Sequence, residues 1–385
     1  MKPSILTKLH SLTPSDLAAL EDCSEESVCA PGHIQAYGIV LNLQGASLKI
    51  LQVSENVEQF FGISAAALLG QPLQRLFSPT QVQQIAVMTQ NNLEIYNPFE
   101  LKTQRRSAQV YRVRKTQTFK STLHRTADGF ILELEPQLAT NKTDSIDFYH
   151  RLQAAIFNLR GATSLSDLAQ IIAREVKSIT EFDRVMVYRF EADEHGVVIG
   201  EAKESHLESY LGLHYPSIDI PVPARQLFYR NWVRQIPDVN YQPIRLIPIN
   251  NPLTDTPLDL SACVLRGVSP YHIEYLQNMG IAGTLTISLI DDQRLWGLIA
   301  CHHYSPRLID YETRKTCEFL GQFASLELLH QQERELKVYQ TQVKTIQEQL
   351  QYAFQSESNL IEQVLIQNAS QLLDVVNGDG AAILL

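Results

Sequence analysis

The 385-residue sequence predicts an α+β protein made of two successive mixed units and closed by a long helix. Three observations carry that prediction. Strand-like runs give way to short capped helices and then to three further strand-like runs, all before residue 137. A second mixture of helix and strand follows a polar, aperiodic stretch at residues 137–146. From Tyr311 onward the chain turns to strong helix formers. Strands, then helices, then strands is the order of an α+β unit, not of alternating βα crossovers.

Element by element, Thr13-Pro14 opens a short helical stretch, because threonine caps and proline suits the first helical position. Residues 36–43 and 48–53 read as the strands of a hairpin. Ser54 and Ser64 read as helix caps, Gly62 and Gly70 as terminators, and Ser78-Pro79 as the start of another helix. Three alternating runs span residues 92–136, clearest at 109–113 and 130–134. In the second unit Ile146, Tyr149, Leu152, Ala155, Ile156 and Leu159 recur at helical spacing. That unit ends in a hairpin of residues 285–290 and 295–301, joined through Asp291-Asp292-Gln293. Its second strand is apolar on both faces, as a central strand is.

Beyond it, Leu329, Leu336, Tyr339, Val343, Ile346, Leu350 and Ala353 alternate steps of three and four, interrupted by polar Gln332. This is a heptad-like seam, read as a long helix that pairs with a second subunit; a helix lying on its own domain is the plainer alternative. The parts are an N-terminal segment (1–35), a first domain (36–136), a linker (137–146), a second domain (147–328), a connecting helix (329–374) and a C-terminal piece (375–385). The last piece, Asn377-Gly378-Asp379-Gly380 followed by five apolar residues, reads as a turn and half a strand. An edge strand so exposed is rare at a natural domain end, so a further domain is expected to begin there.

Composition narrows the function. The chain is 44% hydrophobic and 19% charged, with a formal net charge of -10, which argues against a phosphate-backbone binder and so against a nucleic-acid partner. The start, Met1-Lys2-Pro3-Ser4, lacks a signal-peptide run, and no segment approaches the length of a membrane span. Cysteines at 23, 29, 263, 301 and 317 form no Cys-x-x-Cys pair, which reads as a reduced, cytoplasmic protein.

Three segments carry the chemistry. In Tyr215-Pro216-Ser217-Ile218-Asp219-Ile220-Pro221-Val222-Pro223-Ala224-Arg225, three prolines in eight residues stiffen the chain and remove three backbone donors. The result is a rigid loop holding Asp219 among apolar neighbours, where an ionised carboxylate needs a cation or a donor. The second segment is Leu265-Arg266 through Pro270-Tyr271-His272-Ile273-Glu274-Tyr275. In the third, Cys23 stands eight residues before Pro31-Gly32-His33-Ile34-Gln35.

Together these segments resemble phytochromes, specifically the biliverdin-binding bacteriophytochrome type. The first matches the family's Pro-x-x-Asp-Ile-Pro loop and the second its Leu-Arg-x-x-x-x-x-His-x-x-Tyr helix. The match continues through Phe182-Asp183-Arg184-Val185-Met186-Val187-Tyr188-Arg189-Phe190 and Leu295-Trp296-Gly297-Leu298-Ile299-Ala300-Cys301-His302-His303. It covers roughly residues 18–330. The first unit resembles a PAS domain, the second a GAF domain, and the C-terminal piece the start of a PHY domain. The resemblance further implies a figure-of-eight knot in which the N-terminal segment passes through a GAF loop.

What the resemblance implies for single residues follows. Cys23 forms a thioether with a linear tetrapyrrole, biliverdin, and Cys29 is a bystander. Relatives that attach the bilin beside the helix histidine have a cysteine where Tyr271 stands, so that route is closed. The Asp219 carbonyl faces the pyrrole nitrogens, in a loop with Ile220 and Pro221. His272 contacts the pyrrole water and His302 the D-ring carbonyl. Arg234 and Arg266 are candidates for the propionates, as guanidinium forks match carboxylates. Thr284 and Thr286 share a strand face and match hydroxyl positions for the other propionate, and Tyr188, Tyr215 and Tyr275 match an aromatic wall. Phe228 replaces a tyrosine that bonds a propionate in many relatives, with Tyr229 facing elsewhere.

The implied function is red/far-red sensing by bilin isomerisation, in a homodimer paired through GAF and C-terminal helices. The output is a histidine kinase acting on a response regulator, although no kinase motif is read here. Each of these residues also has a plainer reading as core aromatic, helix-surface arginine or structural histidine. Two rival functions are a GAF sensor of a cyclic nucleotide and a Cys/His hydrolase built on Cys301.

Overall fold

The computed structural model describes residues 28–103, 116–137, 145–292 and 294–356, together with residues 366, 369, 370 and 373. A short strand His33–Ile34 (β1) precedes the expected hairpin of Ile39–Gln44 (β2) and Lys49–Ser54 (β3). Helices Val57–Phe61 (α1), Ala65–Leu68 (α2) and Pro79–Thr89 (α3) follow, then strands Phe99–Lys102 (β4), Thr118–Arg125 (β5) and Gly129–Pro136 (β6). The helix punctuation is local chemistry. Gly62, at φ 68°, closes α1 with its N–H on the Glu58 carbonyl. The Ser78 hydroxyl accepts from the Gln81 N–H at 3.3 Å, with Pro79 at the first helical position.

Ser54 is not a cap. It is the last residue of β3, where its hydroxyl accepts from the Val40 N–H at 3.2 Å, and Asn56 takes the cap position. The strand runs on because Ser54 pairs with Leu246 of a strand from the second unit. Gly70, at φ +71°, turns the chain one residue after the cap of α2, Leu69. The run at 109–113 lies outside the described residues.

The second unit opens with Ser145–Arg160 (α4), as the spacing from Ile146 predicts, and Leu165–Thr180 (α5). Strands Arg184–Phe190 (β7), Gly196–Lys203 (β8) and His214–Tyr215 (β9) come next, followed by Val222–Arg230 (α6), Val233–Ile236 (β10) and Ile244–Ile247 (β11). Pro270–Asn278 (α7), the hairpin Gly283–Asp291 (β12) and Arg294–His303 (β13), and the 46-residue helix Tyr311–Ser356 (α8) complete it. Five of these strands join β9 in an antiparallel sheet of order β10-β12-β13-β7-β8-β9, so β13 is central, as its two apolar faces require. One face packs on α5 and α8, burying Val185, Val187, Leu285, Ile287, Ile299 and Cys301 against Ile172, Val176, Leu320 and Ala324.

One strand leaves its own unit. β11 inserts into the first sheet, whose order among the described residues is β1-β11-β3-β2-β6-β5-β4. Residues 29–35 therefore run between two arms of the 237–268 loop. On one side Leu246 donates to the Gly32 carbonyl at 3.1 Å. On the other, Leu260 donates to the Cys29 carbonyl, Gln35 to that of Leu265 and Gly267 to that of His33. Only glycine fits at 267, because a Cβ there would lie 2.4 Å from the His33 ring. Ile34, Val40, Ile131, Leu246, Leu260 and Leu265 form an apolar cluster shared by both units. A segment gripped from both sides is the arrangement a threaded chain needs; the end that would thread, residues 1–27, lies outside the described residues.

Helix α8 stays on the sheet through Leu328, and Gln331 is its last buried residue among the described side chains. Leu336 and Tyr339 are then half exposed, so the seam expected from the sequence runs free of its own domain. Among the described residues no helix is long and apolar enough to cross a membrane.

Candidate ligand-binding site

Strand register builds the floor of the site on the sheet face opposite α5 and α8. Arg234, Thr286, Ala300 and Met186 are successive cross-strand partners on β10, β12, β13 and β7; Thr284, His302 and Arg184 form the neighbouring row. Side chains two residues apart share a face, so both threonines and His302 look the same way and Cys301 looks the other. Met186, Tyr188, Val198 and Leu298 form an apolar patch here, joined by Tyr215, Ile220 and Phe228.

The proline loop and two helices wall the recess. Ser217–Asp219 makes one 3-10 turn, after which Pro221 caps α6 with Pro223 in its first turn. Both prolines sit where the missing N–H costs nothing. The Arg225 side chain braces the loop from within, with Nε donating to the Ile220 carbonyl at 2.7 Å and Nη2 to that of Ser217 at 3.1 Å. Ser288 on β12 holds the end of α6 by donating to the Phe228 carbonyl at 2.6 Å. Arg225 and Ser288 carry no site signal in the sequence, because their role is to hold backbone.

Asp219 finds its donor on α7, where the Tyr275 hydroxyl donates to its Oδ2 at 3.4 Å. Burial raises the Asp219 pKa, and that hydrogen bond works against the rise. Tyr188 and Tyr215 lie 6.0 Å apart, and burial pushes each phenol up to about 12, so both remain neutral donors. His272 lies nearly parallel to Tyr275, with ring centroids 6.2 Å apart.

The two histidines are neutral for related reasons. Burial, then the Arg184 charge, then His272 bring His302 down to about 3. Its Nδ1 is buried with no hydrogen-bond partner among the described residues. Burial, then the Arg234 charge, lower His272, a residue that nonetheless keeps an exposed surface. Cys301 is fully buried among the α8 contacts, and burial puts its thiol well above the usual range, which removes the arrangement a Cys/His nucleophile needs.

Arg234 and Arg266 come together, but as tethers. Arg234 donates to the carbonyls of Val264, Arg266 and Gly267 at 3.0, 2.7 and 3.0 Å, and Arg266 to that of Ser261 at 3.0 Å. Burial and the Arg234 charge bring Arg266 down to about 9. Tyr271 is half exposed, and Tyr229 is exposed away from the apolar patch that holds Phe228. Cys23 lies outside the described residues.

The fold and this recess define a PAS–GAF pair in which the GAF sheet offers a walled face beneath a proline loop. Family models agree: one described as PAS fold matches residues 23–137 and one described as GAF domain matches residues 164–326. The chain is 43% identical over 365 residues to cyanobacterial phytochrome B of Nostoc sp., covering 94% of this chain and 48% of that protein. With a bacteriophytochrome of Xanthomonas campestris it shares 34% over 376 residues, covering 94% and 56%. The chain thus spans about half the length of the curated relatives it matches.

Solved structures are equally similar. The chromophore-binding domain of a bacteriophytochrome from R. palustris superposes with a TM-score of 0.74 at 36% identity, covering 81% of this chain and all of that one. The photosensory core module of a Stigmatella aurantiaca phytochrome superposes with a TM-score of 0.79 at 35% identity, covering 92% and 69%. This chain belongs to the phytochrome family.

Proposed function

We propose that this chain is the light-sensing part of a bacteriophytochrome-type photoreceptor and holds a linear tetrapyrrole, biliverdin, in the GAF recess. The observation that carries the reading is the recess: an apolar, aromatic wall over a sheet face, with few polar groups and a rigid lid. Such lining suits a flat conjugated ligand, and the polar groups set its orientation. The unpaired, buried Nδ1 of His302 is a group that a ligand would satisfy. Arg266 is buried and Arg234 partly buried, neither with a carboxylate partner among the described residues, so two ligand carboxylates would complete them by replacing carbonyl bonds. Thr286 pairs with Arg234 across β10 and β12, and Thr284 shares its sheet face.

Bound there, the tetrapyrrole supplies red-light absorption and rotation about one of its double bonds. The protein's part is positional. Neutral His272 and His302 each offer one donor and one acceptor. Asp219 and Tyr275 fix the lid to α7 through their hydrogen bond. β13, which carries His302, leads through residues 304–310 directly into α8, so a shift at the recess reaches the helix by a short path. The proposed attachment is a thioether at Cys23, the proposed assembly a cytoplasmic homodimer paired along GAF and α8 helices, and the proposed output a histidine kinase acting on a response regulator.

The test is to mix purified chain with biliverdin, denature it and image zinc-induced fluorescence on a gel, with Cys23→Ser alongside. A band lost in the variant supports the reading. A band that survives moves the attachment to another cysteine. No band and no red absorbance would overturn the reading and return the recess to a small ligand such as a nucleotide.

A further inference from the structure

Away from the recess, three side chains distant in sequence meet where the first sheet faces the loop from the second unit. His124 on β5 and Glu133 on β6 are diagonal neighbours, since His124 pairs with Ile131 and Thr122 with Glu133. They share the sheet face that looks toward Cys263. His124 Nε2 lies 2.6 Å from Glu133 Oε2. One ligand atom from each of His124, Glu133 and Cys263 lies within 4.8 Å of the other two. Glu133 and Cys263 are 3% and 2% exposed, whereas the His124 side chain keeps 17% of its surface in contact with solvent.

We propose that His124, Glu133 and Cys263 form a binding site for a borderline divalent cation of the zinc class, which fastens the PAS sheet to the GAF loop. The donor set is the first argument. An imidazole nitrogen, a carboxylate oxygen and a sulfur suit tetrahedral zinc, with the fourth position left to water; calcium and magnesium take oxygen ligands instead. Zinc–nitrogen and zinc–sulfur bonds of about 2.0 and 2.3 Å put ligand atoms roughly 3–4 Å apart, so the His124–Glu133 edge opens from 2.6 Å while the sulfur starts within 4.8 Å of both.

The second argument is orientation. Glu133 is aimed by two backbone donors from the loop, with Leu265 N–H on Oε1 at 2.8 Å and Val264 N–H on Oε2 at 3.2 Å. Outer contacts of this kind fix a ligand carboxylate. The loop that makes them also presents Cys263, so the donors are held as one unit.

Charge is the third. A thiol must lose its proton before its sulfur can ligate a cation. Binding therefore replaces the thiol proton by the metal: the S–H bond breaks, a sulfur–metal bond forms, and one proton leaves to water. Carboxylate and thiolate then carry two negative charges against the cation's two positive ones. The solvent-facing edge of His124 is the way in. Cys263 directly precedes Val264, which with Arg266 and Gly267 accepts from Arg234, so occupancy would stiffen that segment without any ligand in the recess.

The experiment uses the full chain without bilin, dialysed against Zn2+ and, separately, Co2+. Expected are one equivalent of Zn2+ per chain and a thiolate-to-cobalt charge-transfer band in the near ultraviolet. Cys263→Ser should abolish that band and weaken Zn2+ binding at least tenfold, and His124→Gln should weaken it similarly. Cys23→Ser and a His195→Ala/His214→Ala double variant, which removes an exposed histidine pair 2.8 Å apart, should leave both readouts unchanged. Retention of the equivalent by Cys263→Ser, its loss in either control, or no binding by folded wild type at roughly 100-fold above a micromolar Kd would overturn the proposal. If Cys263→Ser does not fold, the cobalt spectrum of His124→Gln decides in the same two directions.

Discussion

Arg314, in the first turn of α8, points one guanidinium nitrogen at both carboxylate oxygens of Glu135 on β6, at 2.6 and 2.8 Å. The pair is nearly sealed, with side chains 6% and 14% exposed, and Arg314 also donates to the Ile309 carbonyl at 2.8 Å. Lys120 on β5 meets Glu312 at 2.8 Å beside it. The long helix is thus tied at its start to the PAS sheet as well as to the GAF sheet it packs on.

Breaking that tie from one side leaves a buried, uncompensated charge. Glu135→Ala should cost about 3–5 kcal/mol of unfolding free energy, while Glu135→Leu with Arg314→Met should recover most of it. Urea unfolding of the three chains checks this. A single variant as stable as the double would mean that water already reaches the pair.

Gly196 on β8 lies under the Tyr188 ring, and a Cβ built there would stand 1.7 Å from a ring carbon. Gly196→Ala should therefore push Tyr188 out of the recess wall at a cost of about 1–3 kcal/mol, as overpacking does. Thermal unfolding reads the cost, and loss of biliverdin uptake reads the displaced ring. Unchanged values for both would show that the wall yields freely.

His302 should make stability fall in acid. Its folded pKa of about 3 lies below the ordinary histidine value of about 6.5, so the unfolded chain binds the extra proton first. Its contribution is fully present above about pH 6.5 and is lost as the pH falls from there toward 3. His302→Gln should flatten the melting temperature between pH 6.5 and 4 relative to wild type. A parallel decline in both chains would assign the acid sensitivity to other groups.

Arg225 should matter to the loop more than to the fold. Arg225→Ala removes two charged hydrogen bonds to the loop carbonyls and an ion pair to Glu194 at 3.0 Å, and its cost falls on local opening of the loop, not on the α6 contacts with the sheet. Limited proteolysis should then cut near Ser217 faster than in wild type, with little change in global unfolding. Equal cutting rates would show that the prolines alone hold the loop.

The exposed seam of α8 should join two copies of the chain. Leu336 is 54% exposed, and Val343, Ile346 and Leu350 continue its stripe. Ile346→Glu should shift sedimentation from dimer to monomer at micromolar concentration. A wild-type chain that is monomeric there would remove the pairing.

Much of this protein is legible residue by residue. Proline and glycine placed the turns, two apolar runs joined through Asp291-Asp292-Gln293 placed the hairpin of β12 and β13, and heptad spacing placed α8 beyond its domain. These signals are local, because backbone sterics and side-chain periodicity act over a few residues. That Tyr275 would supply the donor to Asp219 was not legible, since nothing in a spacing of 56 residues says that the two meet.

Tertiary structure alone decided the rest. It moved β11 into the first sheet and so turned Ser54 from a cap into a strand residue. It gave the guanidiniums of Arg234 and Arg266 to loop carbonyls, gave Asp219 the Tyr275 hydroxyl, and gathered His124, Glu133 and Cys263 from 139 residues of separation into one cluster. The physical reason is common to all of these. A buried polar group must find a partner, and which partner it finds is fixed by how distant segments pack, not by its neighbours in the chain.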